Sequence, residues 1–347
     1  MKYLGYIGTY TKGESVGIYS FILDTEAKTL AAIQPAAQLD NPTYLTISKD
    51  KRFLYAVEKK GNLGGAAAFS VNRHTGELER LNEQLDEGAS PCHVSVDSVN
   101  KTMVTANYHR GTVEAYLIDE TSGKLLPASS VIVHHGSGPN KERQEKAHAH
   151  YAGFTPDEKY VVAVDLGIDQ VITYSNETGV LNEVNTLTVN PGSGPRHLVF
   201  HPNGKFVYIL TELSSEVIVA SYEPETGRLT MLQTLSALPE NYKEESFGSA
   251  IHVSADGRFV YAANRGHNSI AIFQVDGSTG KLSWVDHVST AGDWPRDFMI
   301  DPTGDFLVAS NQNSSNLVLY SRDQESGRLT LLQSNIKVPN PVCVKFL

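Results

Sequence analysis

The chain is predicted to fold as an all-β, seven-bladed β-propeller of four-stranded antiparallel blades. Three observations predict it. A hairpin-like stretch recurs along the sequence, a Gly-x-Leu turn follows each copy, and the two ends supply complementary fragments of one blade.

The clearest hairpin is Gly194 to Glu212, GPRHLVFHPNGKFVYILTE. Two β-prone runs, Arg196 to His201 and Phe206 to Thr211, flank the turn Pro202-Asn203-Gly204-Lys205. Pro202 presets φ, and Asn203-Gly204 tolerate positive φ. Related stretches begin at Pro42, Pro91 and Pro295, looser ones at Ala149 and Gly248, and a truncated one, PVCVKFL, at Pro341.

The turn follows one strand later. It stands at Gly76-Glu77-Leu78, Gly123-Lys124-Leu125, Gly179-Val180-Leu181, Gly227-Arg228-Leu229, Gly280-Lys281-Leu282 and Gly327-Arg328-Leu329, with Lys28-Thr29-Leu30 as a degenerate seventh. The leucines recur every about 47 to 56 residues, the period of four-strand blades. The first fragment runs from Tyr3 to Thr9 and the last from Pro341 to Leu347. Pairing the last with the N-terminal blade closes the ring and removes exposed sheet edges, which a solenoid would not require. The unbroken repeat makes residues 1–347 one domain.

Of the 347 residues 40% are hydrophobic and 20% charged, the balance of a globular protein with an ample core. A formal net charge of −10 argues against a nucleic-acid or anionic-membrane partner. Two cysteines, Cys92 and Cys343, make no disulfide framework, so a reducing, cytoplasmic compartment is expected. MKYLGYIGTYT alternates like a strand rather than a signal peptide, and no stretch is long enough to span a membrane.

Two insertions break the spacing: Asn140 to His148, ahead of the Ala149 hairpin, and a shorter one around Ala237 to Phe247. Connecting loops of a propeller are common sites of function, although such an insertion can equally be a tolerated surface loop. Topology places both on one face. The start of each first strand and the end of each second strand share that face, and first strands line the channel, so these positions ring one channel mouth.

The mouth is expected to be polar. First-strand starts carry His148, His150, Arg196 and Arg296; second-strand ends carry Glu58, Asn107, Asp165, Glu212, Asn264, Arg265, Asn311 and Gln312. Arg196 and Glu212 are expected to be cross-strand neighbours. Arg265 is expected to face Ser249 and to stay free for an anion. Arginines converging in an acidic protein read as a site for an anionic small molecule. His148 and His150 alternate on one strand and should point the same way. They offer two metal ligands, and Glu58, Asn107, Asp165 and Asn264 offer oxygens. The repeat itself puts polar residues there, so no metal and no cofactor is assigned. His134 and His135 are expected to be solvated at a blade edge.

Gly8-Thr9-Tyr10-Thr11, Gln144 with His148-Ala149-His150, Gly194-Pro195-Arg196-His197 and Tyr261-Ala262-Ala263-Asn264-Arg265 together resemble the lactonase family of seven-bladed propellers, over the whole chain. That resemblance implies a hydrolase opening an anionic sugar lactone, 6-phosphoglucono-1,5-lactone first, in the pentose phosphate pathway. A muconate-type cycloisomerase and a non-catalytic binding propeller are the alternatives. It implies a catalytic cluster on His148 or His150, Arg196, Glu212 and Arg265. Arg296, Asn107, Asn264, Asn311 and Gln144 are the expected substrate-binding residues. Lactone hydrolysis needs an activated water and a stabilised oxyanion; a histidine or Glu212 serves as base, and Arg196 or Arg265 holds the oxyanion or a phosphate.

Overall fold

Each repeat folds into a four-stranded antiparallel sheet whose second and third strands are near-continuous buried runs, such as Phe206–Thr211, because both faces of the sheet are covered by neighbouring sheets. The computed structural model describes residues 1–347 and contains seven such sheets. Blade 1 holds Lys2–Thr9, Gly17–Asp24 and Thr29–Gln38; the first strands of blades 2 to 7 are Leu45–Ile47, His93–Val96, Ala149–Phe154, Pro195–Phe200, Phe247–Val253 and Pro295–Ile300. No helix forms, and so none is long and apolar enough to cross a membrane.

The hairpin in blade 5 forms as expected, with strands Pro195–Phe200 and Phe206–Thr211 meeting at Gly204, φ 70°. Ring closure also follows the expectation. Pro341–Phe346 pairs antiparallel with Lys2–Thr9, Ile7 opposite Val344. Asp297, from the first strand of blade 7, accepts the backbone N–H of Val344 at 2.9 Å and stands 3.7 Å from Lys345 Nζ, so the closing strand is also tied sideways.

The core is seven separate layers, one between each pair of adjacent blades. Between blades 5 and 6, for example, Tyr208, Leu210 and Val219 pack on Ile251, Val260 and Phe273. The Gly-x-Leu turns lock these layers. Gly123 and Gly280 adopt φ 72° and 71°, and a Cβ on either would collide with Phe53 or Phe206 of the preceding blade. The carbonyls of the same glycines accept hydrogen bonds from tyrosines of that preceding blade, Tyr55 to Gly123 at 3.2 Å and Tyr208 to Gly280 at 3.2 Å. Lys28, in the degenerate turn, takes the same positive φ, 55°.

The axis is left to polar side chains. Tyr44, His93, Tyr151 and His197 pack against one another in tilted and edge-on contacts, with ring centroids 4.2 Å (Tyr44–His93), 4.3 Å (His93–Tyr151) and 5.3 Å (His93–His197) apart.

Candidate active site

A backbone irregularity repeated from blade to blade builds the site. Where the first strand begins, the pairing register slips between Ala149 and Tyr151, between Pro195 and His197, and between Pro295 and Asp297. The extra residue in each bulge is His150, Arg196 or Arg296. A bulge leaves its residue unpaired and re-aims its side chain. All three turn into the mouth region.

A second set of equivalent positions lies just beyond the last core residue of the second strand. There stand Tyr10, Lys59, Tyr108, Glu212 and Arg265, and all five line one cavity of about 470 Å³ together with His150, Arg296 and Arg143. The expected face and convergence therefore hold for His150, Glu212, Arg265 and Arg296. Arg196 lines a recess of about 30 Å³ beside the main cavity, shared with Cys92, His197 and Arg296.

Three asparagines expected in the mouth are not there. Asn107, Asn264 and Asn311 sit one residue earlier in the repeat, and side chains alternate along a strand, so they point into the blade. Each is fully buried, and each amide donates to a loop carbonyl: Asn107 to Ala89 (2.7 Å), Asn264 to Ala237 (2.7 Å) and Asn311 to Thr290 (2.9 Å). Glu58 and Asp165 occupy the same position. Glu58 pairs with Arg80 at 2.6 Å, and Asp165 accepts the N–H groups of His148 (2.7 Å) and Gly167 (2.9 Å). Gln144 is likewise buried, its amide donating to Leu166 O at 2.8 Å and its oxygen accepting from Asn140 N–H. No group of three or more His, Cys, Asp or Glu side chains is arranged to hold a metal ion.

The two histidines part company. His148 precedes the strand, stacks on Tyr108 at 4.2 Å, and is held by Tyr108 O (2.8 Å) and Glu145 (3.1 Å). His150 lines the cavity, neither ring nitrogen has a hydrogen-bond partner, and Nδ1 is fully buried. The bulge breaks the alternation that would have kept the pair on one face. His134 is also placed differently from expectation. It is buried, bonded to Asp165 at 2.7 Å and to the Tyr174 hydroxyl at 2.7 Å, while His135 is exposed as expected.

Glu212 is the hub. Oε2 accepts from Arg196 Nε at 2.9 Å and forms an ion pair with Arg265, whose Nη2 stands 2.7 Å away, and Oε1 accepts from Arg143 Nη2. The contact between Arg196 and Glu212 is the expected one, made from a bulge rather than by direct pairing. The pairing of Arg265 was not expected. Phe247, not Ser249, lies opposite it, and its guanidinium reaches back across the blade boundary to Glu212 while donating to Gly248 O of its own blade. Arg143 comes from the Asn140 to His148 insertion, and only the insertion's position hinted at it. The arginine without any carboxylate partner is Arg296, whose guanidinium rests 5.5 Å from the Tyr10 ring.

Charge and burial sort the roles. Burial alone would raise the Glu212 carboxyl, but Arg265, Arg196 and Arg143 outweigh it and hold it well below the usual carboxylate range. A carboxylate so held stays ionised, with both oxygens engaged by guanidiniums. Burial, then the positive charges of Arg196 and Arg296, push His150 well below its ordinary value, so it is neutral at pH 7 with a free lone pair. Burial and the neighbouring Arg265 pull Arg196 down to about 9, which leaves it charged at neutral pH. Burial raises the Cys92 thiol to about 11, so it is protonated and not a nucleophile.

The profile of the family "Lactonase, 7-bladed beta-propeller" matches residues 4–346. A 6-phosphogluconolactonase of Bacillus subtilis (strain 168) is 55% identical over 346 residues, covering 100% of this chain and 99% of the relative. A protein from Lactobacillus plantarum of known structure superposes with a TM-score of 0.96 at 41% identity, over 100% of both chains. The periplasmic gluconolactonase PpgL of Pseudomonas aeruginosa superposes with a TM-score of 0.94 at 32% identity, over 100% of this chain and 99% of that one.

Proposed function

Because this chain belongs to the lactonase family of seven-bladed β-propellers, we propose that it is a hydrolase that opens 6-phosphoglucono-1,5-lactone to 6-phosphogluconate. The observation that carries this reading is a neutral, unpartnered histidine facing the same cavity as a carboxylate-anchored arginine cluster. A scaffold has no use for that combination, whereas ester hydrolysis needs both parts.

In this mechanism His150 takes a proton from a water as its oxygen attacks C1 of the lactone. The C1 carbonyl π-bond opens onto its oxygen, and the oxyanion is held by Arg196 and Arg265. Glu212 fixes those guanidiniums before the charge develops, so little reorganisation is left for the reaction step. The intermediate then collapses, the bond from C1 to the ring oxygen breaks, and protonated His150 returns its proton to that oxygen. The ring oxygen becomes the C5 hydroxyl, and the new carboxylic acid loses its proton to solvent. No cofactor takes part. The small-molecule substrate is anionic, and four arginines against one carboxylate suit it.

The same reading makes residues 1–347 one catalytic unit, since the cavity draws side chains from every blade. A cytoplasmic setting in the pentose phosphate pathway belongs to it too, supported by two free cysteines. The test is hydrolysis of freshly generated 6-phosphogluconolactone, corrected for spontaneous opening. Enzyme-dependent 6-phosphogluconate formation, linear in protein concentration, is expected. A rate equal to the spontaneous one would refute the proposal.

A further inference from the structure

The cavity has two sides that differ in whether their arginines meet a carboxylate. Over blades 4 to 6 lie His150, Glu212 and Arg265, with Arg143 from the insertion; the two arginines there are tied to Glu212. Over blades 7, 1 and 2 lie Arg296, Tyr10 and Lys59. Neither Arg296 nor the ammonium of Lys59 has a carboxylate or hydrogen-bond partner in the protein. Arg296 is half-buried, in a bulge that aims it inward, and its guanidinium is braced near the Tyr10 ring.

A preoriented guanidinium with all its donors unused, inside a cavity, is an anion site awaiting its anion. Arg143, Arg196 and Arg265 share the one carboxylate of Glu212. Arg296, which borders the recess of Arg196, is the arginine of the mouth that meets no carboxylate at all, so its charge is the one left for a ligand. We propose that Arg296, assisted by Lys59, binds the phosphate of the substrate and so sets the preference for a phosphorylated over an unphosphorylated sugar lactone. This rests on the lactonase reading. It deepens that reading by separating two tasks: blades 4 to 6 hold the lactone carbonyl, and blades 7, 1 and 2 hold the far, dianionic end. A flat lactone ring with its phosphate on the exocyclic carbon then lies across the mouth.

The test uses Arg296→Gln in the full chain, with two readouts. The first is the ratio of kcat/KM for 6-phosphogluconolactone to that for glucono-1,5-lactone. Arg296→Gln should lower this ratio roughly 10- to 100-fold, the worth of one or two charge-assisted hydrogen bonds, and mainly through KM for the phosphorylated lactone. The second readout is calorimetric binding of the stable products. The wild type should bind 6-phosphogluconate more tightly than gluconate by a similar factor, and Arg296→Gln should erase most of that difference. Loss of turnover on both lactones in equal proportion, with the binding difference intact, would overturn the assignment and make Arg296 part of the reacting centre. If the wild type opens neither lactone but the binding difference is present and vanishes in Arg296→Gln, the hydrolase reading fails and the phosphate subsite stands.

Discussion

Glu212→Gln keeps the shape of the side chain and removes the one negative charge shared by three arginines. The side chains of Glu212, Arg196 and Arg265 are only 4%, 3% and 6% exposed, so solvent cannot replace the lost charge. Breaking a buried ion pair by removing one partner costs about 3 to 5 kcal/mol. The low end applies here. Arg196 and Arg265 keep the carbonyls of Ser249 and Gly248 as acceptors, and Arg143, 33% exposed, can turn toward water. A loss of about 3 kcal/mol is expected, a drop in Tm on the order of 5 °C for a chain of this length. The uncompensated guanidiniums should then attract an anion. Thermal melts with and without added inorganic phosphate test this: phosphate should raise the Tm of the variant several degrees more than that of the wild type. Activity should fall about 100-fold in kcat, because the arginines are no longer aimed at the oxyanion. A variant as stable as the wild type and indifferent to phosphate would show that the cluster is not coupled through Glu212.

Other outcomes follow from the same geometry. Because His150 is held well below its ordinary value, its base form persists on acidification, so kcat/KM should stay level from pH 8 through 6.5 and fall only well below that; an acid limb at or above 6.5 would contradict the assignment. Burial raises the Asp297 carboxyl, but Lys345 and His252 pull it down to about 2. A depressed carboxyl stabilises the fold above the unfolded-state value and loses that contribution as pH falls through about 4 to 2. Asp297→Asn should remove about 2 kcal/mol at pH 7 and flatten that part of the pH–stability curve, measured by urea unfolding. Deleting Pro341 onward should strip blade 1 of its inner strand and lower stability by several kcal/mol; a truncated chain with the urea midpoint of the full one would refute the closure argument.

The ring was legible because seven repeats report the same structure: the turn at Gly204 and the glycine two residues before six of the seven turn leucines mark where strands end, and the two terminal fragments pair with Ile7 opposite Val344. Within the mouth, legibility stopped at one-residue resolution. Asn107, Asn264 and Asn311 look like mouth residues until the register shows them one step short of Glu212, facing the other way. Aligning the repeats on Glu212 itself would have picked out Tyr10, Lys59 and Tyr108. His148 and His150 were inseparable by alternation because a bulge is silent in sequence. The link from Arg265 to Glu212 joins two adjacent blades, and Arg143 arrives on a loop with no repeat partner; no local pattern encodes either.

The most direct measurement of the central claim compares His150→Asn with His148→Asn in steady-state hydrolysis of 6-phosphogluconolactone. His150→Asn should lower kcat at least about 100-fold with KM changed little, the loss expected when a general base is removed. His148→Asn, in a side chain that stacks on Tyr108 outside the cavity, should keep most of its kcat. If His150→Asn turned over like the wild type while His148→Asn lost activity, the mouth would have been assigned to the wrong histidine and the mechanism derived from it would fall.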